Sequence, residues 1–211
     1  MKVCTDACLF GAWVAEEISN QSIERMLDIG TGTGLLSLMI AQATTGLIDA
    51  VEKDDDAYEQ AVENFAESPW KERLQVFHTA VQEFDPPYRY DVIFCNPPFY
   101  ENVLRSSDKK RNVAMHSDDL GIDELFISLK RLLKPGGLIA ILMPYRRSVL
   151  IEKKIEENEL FIFKKAEVKQ SERHSPFRCM YLLKDVFSVN SERKITIKDE
   201  EFNTLLKNYY L

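Results

Sequence analysis

Asn96-Pro97-Pro98-Phe99 is the segment of this chain best equipped to grip a ligand. The two prolines fix φ at consecutive positions and remove two backbone donors, so the carbonyls of a short rigid loop stay free to accept hydrogen bonds from outside it. The Asn96 amide adds a side-chain acceptor. Upstream, the run Tyr90-Asp91-Val92-Ile93-Phe94-Cys95 reads as a buried strand that delivers Asn96 at its C-terminal end. Open α/β sheets bind ligands at that end of their strands.

A second constellation lies earlier. Arg25-Met26-Leu27-Asp28-Ile29 is apolar enough for a strand, Gly30-Thr31-Gly32-Thr33-Gly34 is a loop, and Leu35 to Ala43 has a helical pattern. Such a turn lets a ligand approach the backbone closely and offers it the free N–H groups of a helix start. The spacing is not that of a dinucleotide fingerprint, because Leu35 stands where the third glycine belongs. Asp28 would repel a pyrophosphate and suits a cationic ligand. S-adenosylmethionine, with a sulfonium, an ammonium and no phosphate, meets that requirement. Leu47-Ile48-Asp49-Ala50-Val51 gives a second strand ending in Glu52, at about the ~20-residue interval expected for an acid that takes ribose hydroxyls. Each feature alone has a plainer reading as a tight turn, a solvated acid or a rigid proline turn. Their joint occurrence favours a ligand site.

The elements that must position these residues alternate. Helical patterns run from Thr5 or Asp6 to about Glu17 and from Asp54-Asp55-Asp56 through Ala57, Ala61, Val62 and Phe65. Further helices are predicted over Ile122 to Leu133 and Arg147 to Asn158. Strands are predicted at Leu74 to His78, Tyr90 to Cys95, Leu138 to Met143, Phe161 to Lys169 and Arg178 to Val186, followed by a short extended piece and a closing helix in Lys194 to Leu211. Tyr100 to Leu120 is polar and aperiodic, as a substrate loop would be. Strands alternating with helices imply an α/β fold, a mostly parallel sheet covered on both faces. The last two strands lack room for a crossover helix, so the final one is expected antiparallel.

With 211 residues the chain suits one well-buried domain, 1–211. It has no run of 18 apolar residues and no signal-peptide pattern, so a soluble, cytoplasmic protein without a membrane partner is expected. Cys4, Cys8, Cys95 and Cys179 lack paired spacing, and His78, His116 and His174 form no ligand pattern, so neither disulfides nor a metal are expected. The net charge of −7 is unevenly spread: residues 1–100 hold 6 Lys and Arg against 17 Asp and Glu, and residues 101–211 hold 21 against 17. Lys109-Lys110-Arg111, Arg146-Arg147, Lys153-Lys154 and Lys164-Lys165 could line a phosphate-tracking surface, although Glu152, Glu156 and Glu157 interleave with several of them.

Asp-x-Gly-x-Gly-x-Gly, the acid ending the second strand and Asn-Pro-Pro-Phe ending the fourth together resemble class I S-adenosylmethionine-dependent methyltransferases acting on planar amines. Thr5-Asp6-Ala7-Cys8-Leu9-Phe10-Gly11-Ala12-Trp13, Ala114-Met115-His116, Ser175-Pro176-Phe177-Arg178 and the Tyr-Tyr-Leu ending narrow this. Over nearly its whole length the chain resembles the bacterial tRNA adenine-N6 methyltransferases that modify the adenosine beside the anticodon of a valine tRNA. The resemblance implies a Rossmann-like fold with a seven-stranded sheet whose last strand is antiparallel. It places Asp28, Gly30, Thr31, Gly32 and Gly34 around the methionine part of S-adenosylmethionine, Glu52 with Lys53 at its ribose, and Ala80 and Val81 beside its adenine. The family often has an acid near Ala80, so here backbone carbonyls or Gln82 would meet the adenine amine. Asn96, Pro97, Pro98 and Phe99 would hold the target base against the cofactor, and Lys109, Lys110, Arg111, His116 and Arg178 would contact a tRNA. A monomer is expected. The family also carries a segment ahead of Lys2-Val3, which would leave some covering residues outside this sequence.

An adenine amine is a weak nucleophile because its lone pair is delocalised into the ring. Acceptors at the Asn96 side-chain oxygen and the Pro97 carbonyl would each take one N–H and favour the tetrahedral nitrogen of the transition state. Stacking on Phe99 would add on the order of 1–3 kcal/mol. A glutamine side-chain amide is planar too, so a protein glutamine methyltransferase is the nearest rival, although the separate helical domain of such enzymes does not fit before Thr5. A DNA adenine methyltransferase would need a target-recognition domain. A non-catalytic S-adenosylmethionine- or RNA-binding module would not need the Asn-Pro-Pro-Phe loop, and Leu35 disfavours a nicotinamide dehydrogenase.

Overall fold

Apolar side chains alternate along the central strands, so each strand feeds two separate cores, one on either face of the sheet. The computed structural model of the protein describes residues 4–97 and 121–209. Its strands are β1 (Arg25–Ile29), β2 (Leu47–Glu52), β3 (Leu74–His78), β4 (Tyr90–Cys95), β5 (Leu133–Pro144), β6 (Phe161–Lys169), β7 (Pro176–Lys184) and β8 (Ser191–Thr196). The helices are α1 (Thr5–Ile18), α2 (Leu35–Ala43), α3 (Asp55–Glu67), α4 (121–132), α5 (Ser148–Glu157) and α6 (Glu200–Leu206). The strands form one sheet in the order β3-β2-β1-β4-β5-β7-β6-β8.

Met26, Ile48, Phe94, Ala140 and Met180 turn to one face and pack against Phe10 and Trp13 of α1, Ile40 of α2 and Leu206 of α6. Their neighbours Leu27, Ile93, Ile141 and Tyr181 turn to the other, beneath Phe126 and Leu129 of α4 and Ile151 and Ile155 of α5. Phe10 and Trp13 are fully buried, as expected of core rather than of a substrate platform. No helix among the described residues is long and apolar enough to cross a membrane.

The α/β class and the antiparallel seventh strand are as expected: β7 runs antiparallel to both β5 and β6. The strand count is not. An eighth strand, β8, pairs in parallel with the outer edge of β6. Its sequence, Ser-Glu-Arg-Lys-Ile-Thr, buries only the last two residues, so it has no alternation to signal a strand and is held by its ladder with β6. β5 also starts five residues earlier than expected. Lys134-Pro135-Gly136-Gly137 enters the sheet through a register shift between Tyr90 and Val92 of β4, with Gly136 at φ 75° and its N–H donated to Asp185. In α3, Asp54 caps the helix by accepting the Ala57 N–H, and Ala61 and Phe65 are buried, but Val62 is exposed.

The β8–α6 unit belongs to the core, since Ile195, Phe202 and Leu206 are buried against α1 and the sheet. Leu206→Ala is therefore expected to cost about 2–5 kcal/mol of unfolding free energy in urea titrations, where an appended, non-packing tail would show no change.

Candidate active site

Register across the sheet brings the predicted residues to one edge. Ile29 of β1 lies opposite Val51 of β2 on one side and Cys95 of β4 on the other, so Gly30, Glu52 and Asn96 leave the sheet together. β1 and β4 are also where the strand order reverses direction, the crevice in which open α/β sheets hold ligands.

The glycine loop is built by backbone geometry. Gly30 and Thr31 N–H groups both donate to the Val51 carbonyl (2.9 and 3.2 Å), folding the chain across the end of β2. Gly34 enters α2 at φ 87°, and a Cβ there would lie 2.5 Å from the Phe65 ring, so a side chain is excluded by both conformation and space. At Gly30 (φ 68°) an added Cβ would meet nothing within 4 Å, which leaves open room beside the backbone. The Asn64 side chain steadies the loop from α3 by donating to the Thr33 carbonyl (2.7 Å).

Asp28 is completely buried behind this loop. Its Oδ2 accepts from the Thr31 hydroxyl (2.6 Å) and the Ser37 hydroxyl (2.8 Å), while its Oδ1 is buried without a hydrogen-bond partner among the described residues. Burial raises its pKa to about 6, the Thr31 and Ser37 bonds partly oppose this, and the charge of Glu52 adds to it. An orphaned carboxylate oxygen next to an open glycine turn fits a cationic ligand. Cys95, level with Ile29, has its thiol pushed well up by burial and by the Asp28 charge; it stays protonated and packs as a small apolar residue.

Glu52 is pinned by three backbone donors, Gly32 N–H on Oε2 (2.8 Å) and the N–H groups of Lys53 and Asp54 on Oε1 (2.8 and 3.0 Å). A carboxylate held this way spans the gap between the ends of β1 and β2 and keeps lone pairs for a diol. The Lys53 side chain is exposed. Ala80 and Val81 follow β3, one strand further out. The Ala80 carbonyl accepts from Glu83 and Phe84 N–H groups, and the Val81 carbonyl from Arg131 (2.9 Å). Gln82 donates its amide nitrogen to Glu124 (2.8 Å), which leaves its amide oxygen as the acceptor not already engaged.

Asn96 and Pro97 are half-buried, and no described residue hydrogen-bonds the Asn96 side chain. Pro98, Phe99, Lys109, Lys110, Arg111 and His116 lie outside the described residues, as does the Tyr100 to Leu120 stretch. Arg178 is at the site edge of β7, opposite Pro144, but its guanidinium pairs with Asp6 (2.8 Å), so the phosphate expected there would compete with a carboxylate. That pair joins the two segments Thr5-Asp6 and Ser175-Pro176-Phe177-Arg178, 172 residues apart, a contact that spacing in the sequence does not reveal. It also explains why Asp6 does not cap α1, whose N-cap is Cys4; Asp6 accepts only the Ala7 N–H within the first turn. Ser37 and Asn64 were likewise missed, each being one polar residue in a helix with no local signal.

A family model described as the methyltransferase small domain matches residues 11–148. The tRNA1(Val) (adenine(37)-N6)-methyltransferase of Dyadobacter fermentans is 40% identical over 222 aligned residues, covering 100% of this chain and 91% of that protein. Among solved structures, a predicted O-methyltransferase from Agrobacterium tumefaciens has a TM-score of 0.68 at 13% identity, covering 94% of this chain and 95% of that one. The glycopeptide N-methyltransferase MtfA complexed with S-adenosyl-L-methionine has a TM-score of 0.63 at 10% identity, covering 84% and 93%. The two structures share the fold. The chain belongs to the tRNA1(Val) (adenine(37)-N6)-methyltransferase family.

Proposed function

We propose that the protein transfers a methyl group from S-adenosylmethionine to N6 of an adenosine in tRNA, the adenosine beside the anticodon of a valine tRNA. The observation that carries this reading is the register of β1 with β4, which sets an Asn-Pro acceptor pair beside a glycine turn backed by a buried acid. Residues 1–211 act as one methyltransferase domain, a monomer of the cytoplasm, and the reaction calls for no metal.

Asp28 Oδ1 and the open space at Gly30 fit the ammonium end of the cofactor, with Thr31, Gly32 and Gly34 shaping the turn. Glu52, next to Lys53, takes the ribose hydroxyls, and Ala80, Val81 and the Gln82 amide oxygen border the adenine. When bound, S-adenosylmethionine supplies an electrophilic methyl group on a sulfonium. The Asn96 side-chain oxygen and the Pro97 carbonyl accept the two N–H bonds of the target amine and turn its lone pair out of the ring plane. Pro98 holds that carbonyl rigid and Phe99 stacks on the base. Hydrogen bonds that strengthen as the nitrogen becomes tetrahedral stabilise the transition state more than the ground state. No strong base is needed, because the amine becomes acidic once methylated. The target base must leave its stack to enter this pocket, which a loop or single strand permits at least cost.

Two outcomes test the assignment. Asn96→Ala is expected to abolish N6-methyladenosine formation in a tRNA1(Val) transcript, read by nucleoside mass spectrometry, while cofactor affinity stays within a few-fold; unchanged turnover would remove Asn96 from the mechanism. Asp28 in the ligand-free protein is protonated below about pH 6 and must ionise to face an ammonium. Calorimetric cofactor affinity should therefore fall roughly tenfold from pH 7.5 to pH 5. Asp28→Asn should bind more weakly and show little of that dependence, and equal slopes in the two proteins would contradict the placement.

A further inference from the structure

The basic clusters on the helices and outer strands are neutralised within the protein. Lys154 pairs with Asp123 (2.7 Å) and Glu157 (2.9 Å), Lys153 with Glu157 (3.5 Å), Lys164 with Glu17 (2.6 Å) and Lys165 with Glu152 (2.9 Å). A cation already matched by a carboxylate has little net charge to offer a phosphate. Several others have no such partner; among the described residues no carboxylate lies within ion-pair distance of Arg146, Lys169, Arg173 or Lys198.

These four share one edge. β4, β5, β6 and β8 run in the same direction and end on the side that presents Asn96, and β7 begins there. Arg146 stands in the turn after β5, Lys169 closes β6, Arg173 is in the β6–β7 turn and Lys198 follows β8. Arg146, Arg173 and Lys198 are exposed, and Lys169 is half-buried. Two of the acids nearby are engaged in the fold, Glu172 accepting from the Thr196 hydroxyl (2.9 Å) and Asp199 accepting the N–H groups of Thr196 and Phe202 (2.8 and 2.7 Å), while Glu200 is exposed at the start of α6. In the opposite direction from Asn96 the edge is acidic on balance, with Glu52, Asp54, Asp55 and Asp56 against Lys53 at the end of β2 and the start of α3. That side attracts a cationic cofactor and repels phosphates.

We propose that the RNA backbone flanking the target adenosine leaves the pocket toward β8, with Arg146, Lys169, Arg173 and Lys198 neutralising successive phosphates along the sheet edge. Four strand spacings of ~4.8 Å give this track a length of about 19 Å, enough to engage several nucleotides beside the flipped base. The track rests on the reading of the substrate as tRNA and adds to it a direction and a set of contacts.

Anisotropy of a labelled, unmodified tRNA1(Val) transcript between 50 and 200 mM salt tests it. The triple variant Arg146→Glu, Arg173→Glu, Lys198→Glu is expected to bind at least tenfold more weakly, with the salt slope reduced by about 2. Its calorimetric affinity for S-adenosylmethionine should be unchanged. Lys71→Glu with Arg89→Glu places two of the same charge reversals at the opposite ends of β3 and β4 and should bind within about twofold of the parent. Should the triple variant fail to bind the cofactor, Arg173→Gln alone, in an exposed turn, should lower the slope by about 0.7. Parental affinity and slope in the triple variant, or an equal loss in the Lys71 and Arg89 control, would overturn the track alone. A parent protein that does not bind the transcript would overturn both the track and the tRNA reading.

Discussion

Parallel pairing of β1 with β4 is the constraint on which the chemistry rests. It fixes Ile29 against Cys95, and hence the glycine turn against the Asn96-Pro97 carbonyl pair, to within the tolerance of a hydrogen-bonded ladder. Both strands are buried on both faces, by Met26 and Phe94 toward α1 and α2 and by Leu27 and Ile93 toward α4 and α5. A one-residue slip would turn each of those side chains to the wrong face, so the register is strongly specified. The loops that leave these strands inherit that rigidity.

The site places its unfavourable group where it is useful. A fully buried carboxyl with one oxygen unpartnered among the described residues destabilises the ligand-free protein once it is ionised, and the stability it contributes while protonated is lost as pH rises through about 6. Thr31 and Ser37 satisfy its other oxygen and keep it in position. Glu52 is held by three backbone N–H groups, and Gly34 is fixed by the Phe65 ring behind it. Charge is sorted along the same edge, acidic toward β2 and α3 and unmatched basic toward β6 and β8. One cleft can thereby favour a small cation on one side and a polyanion on the other.

Much of this was legible in the residues. Glycines, an acid at a strand end and an Asn-Pro-Pro-Phe run are local signals, and local signals survive without coordinates. Strands β1 to β7 announced themselves by apolar runs, continuous in β1, β4, β5 and β7, which are buried on both faces, and weaker in β3 and β6, which are largely half-buried. β8 showed only as a short extended piece from Lys194 and not as a strand of the sheet, because an edge strand with two buried residues carries no period. Glu157 beside Lys153 and Lys154 was legible from helical spacing, whereas the pairs Asp6–Arg178, Lys154–Asp123, Lys164–Glu17 and Lys165–Glu152 join distant segments and were not. Those pairings redirected the RNA surface from the lysine doublets to isolated cations at strand ends. The acceptors themselves are equivalent toward an adenine and a glutamine amide; what sets the chain among the tRNA1(Val) (adenine(37)-N6)-methyltransferases is its likeness to them over its full length.

The central claim is geometric, and a crystal structure of the protein with S-adenosylhomocysteine and adenosine bound together tests it most directly. The adenosine N6 is expected within about 3 Å of both the Asn96 side-chain oxygen and the Pro97 carbonyl, with the homocysteine amine at Asp28. An adenosine amine pointing to solvent, or a homocysteine tail lying away from the glycine turn, would contradict it.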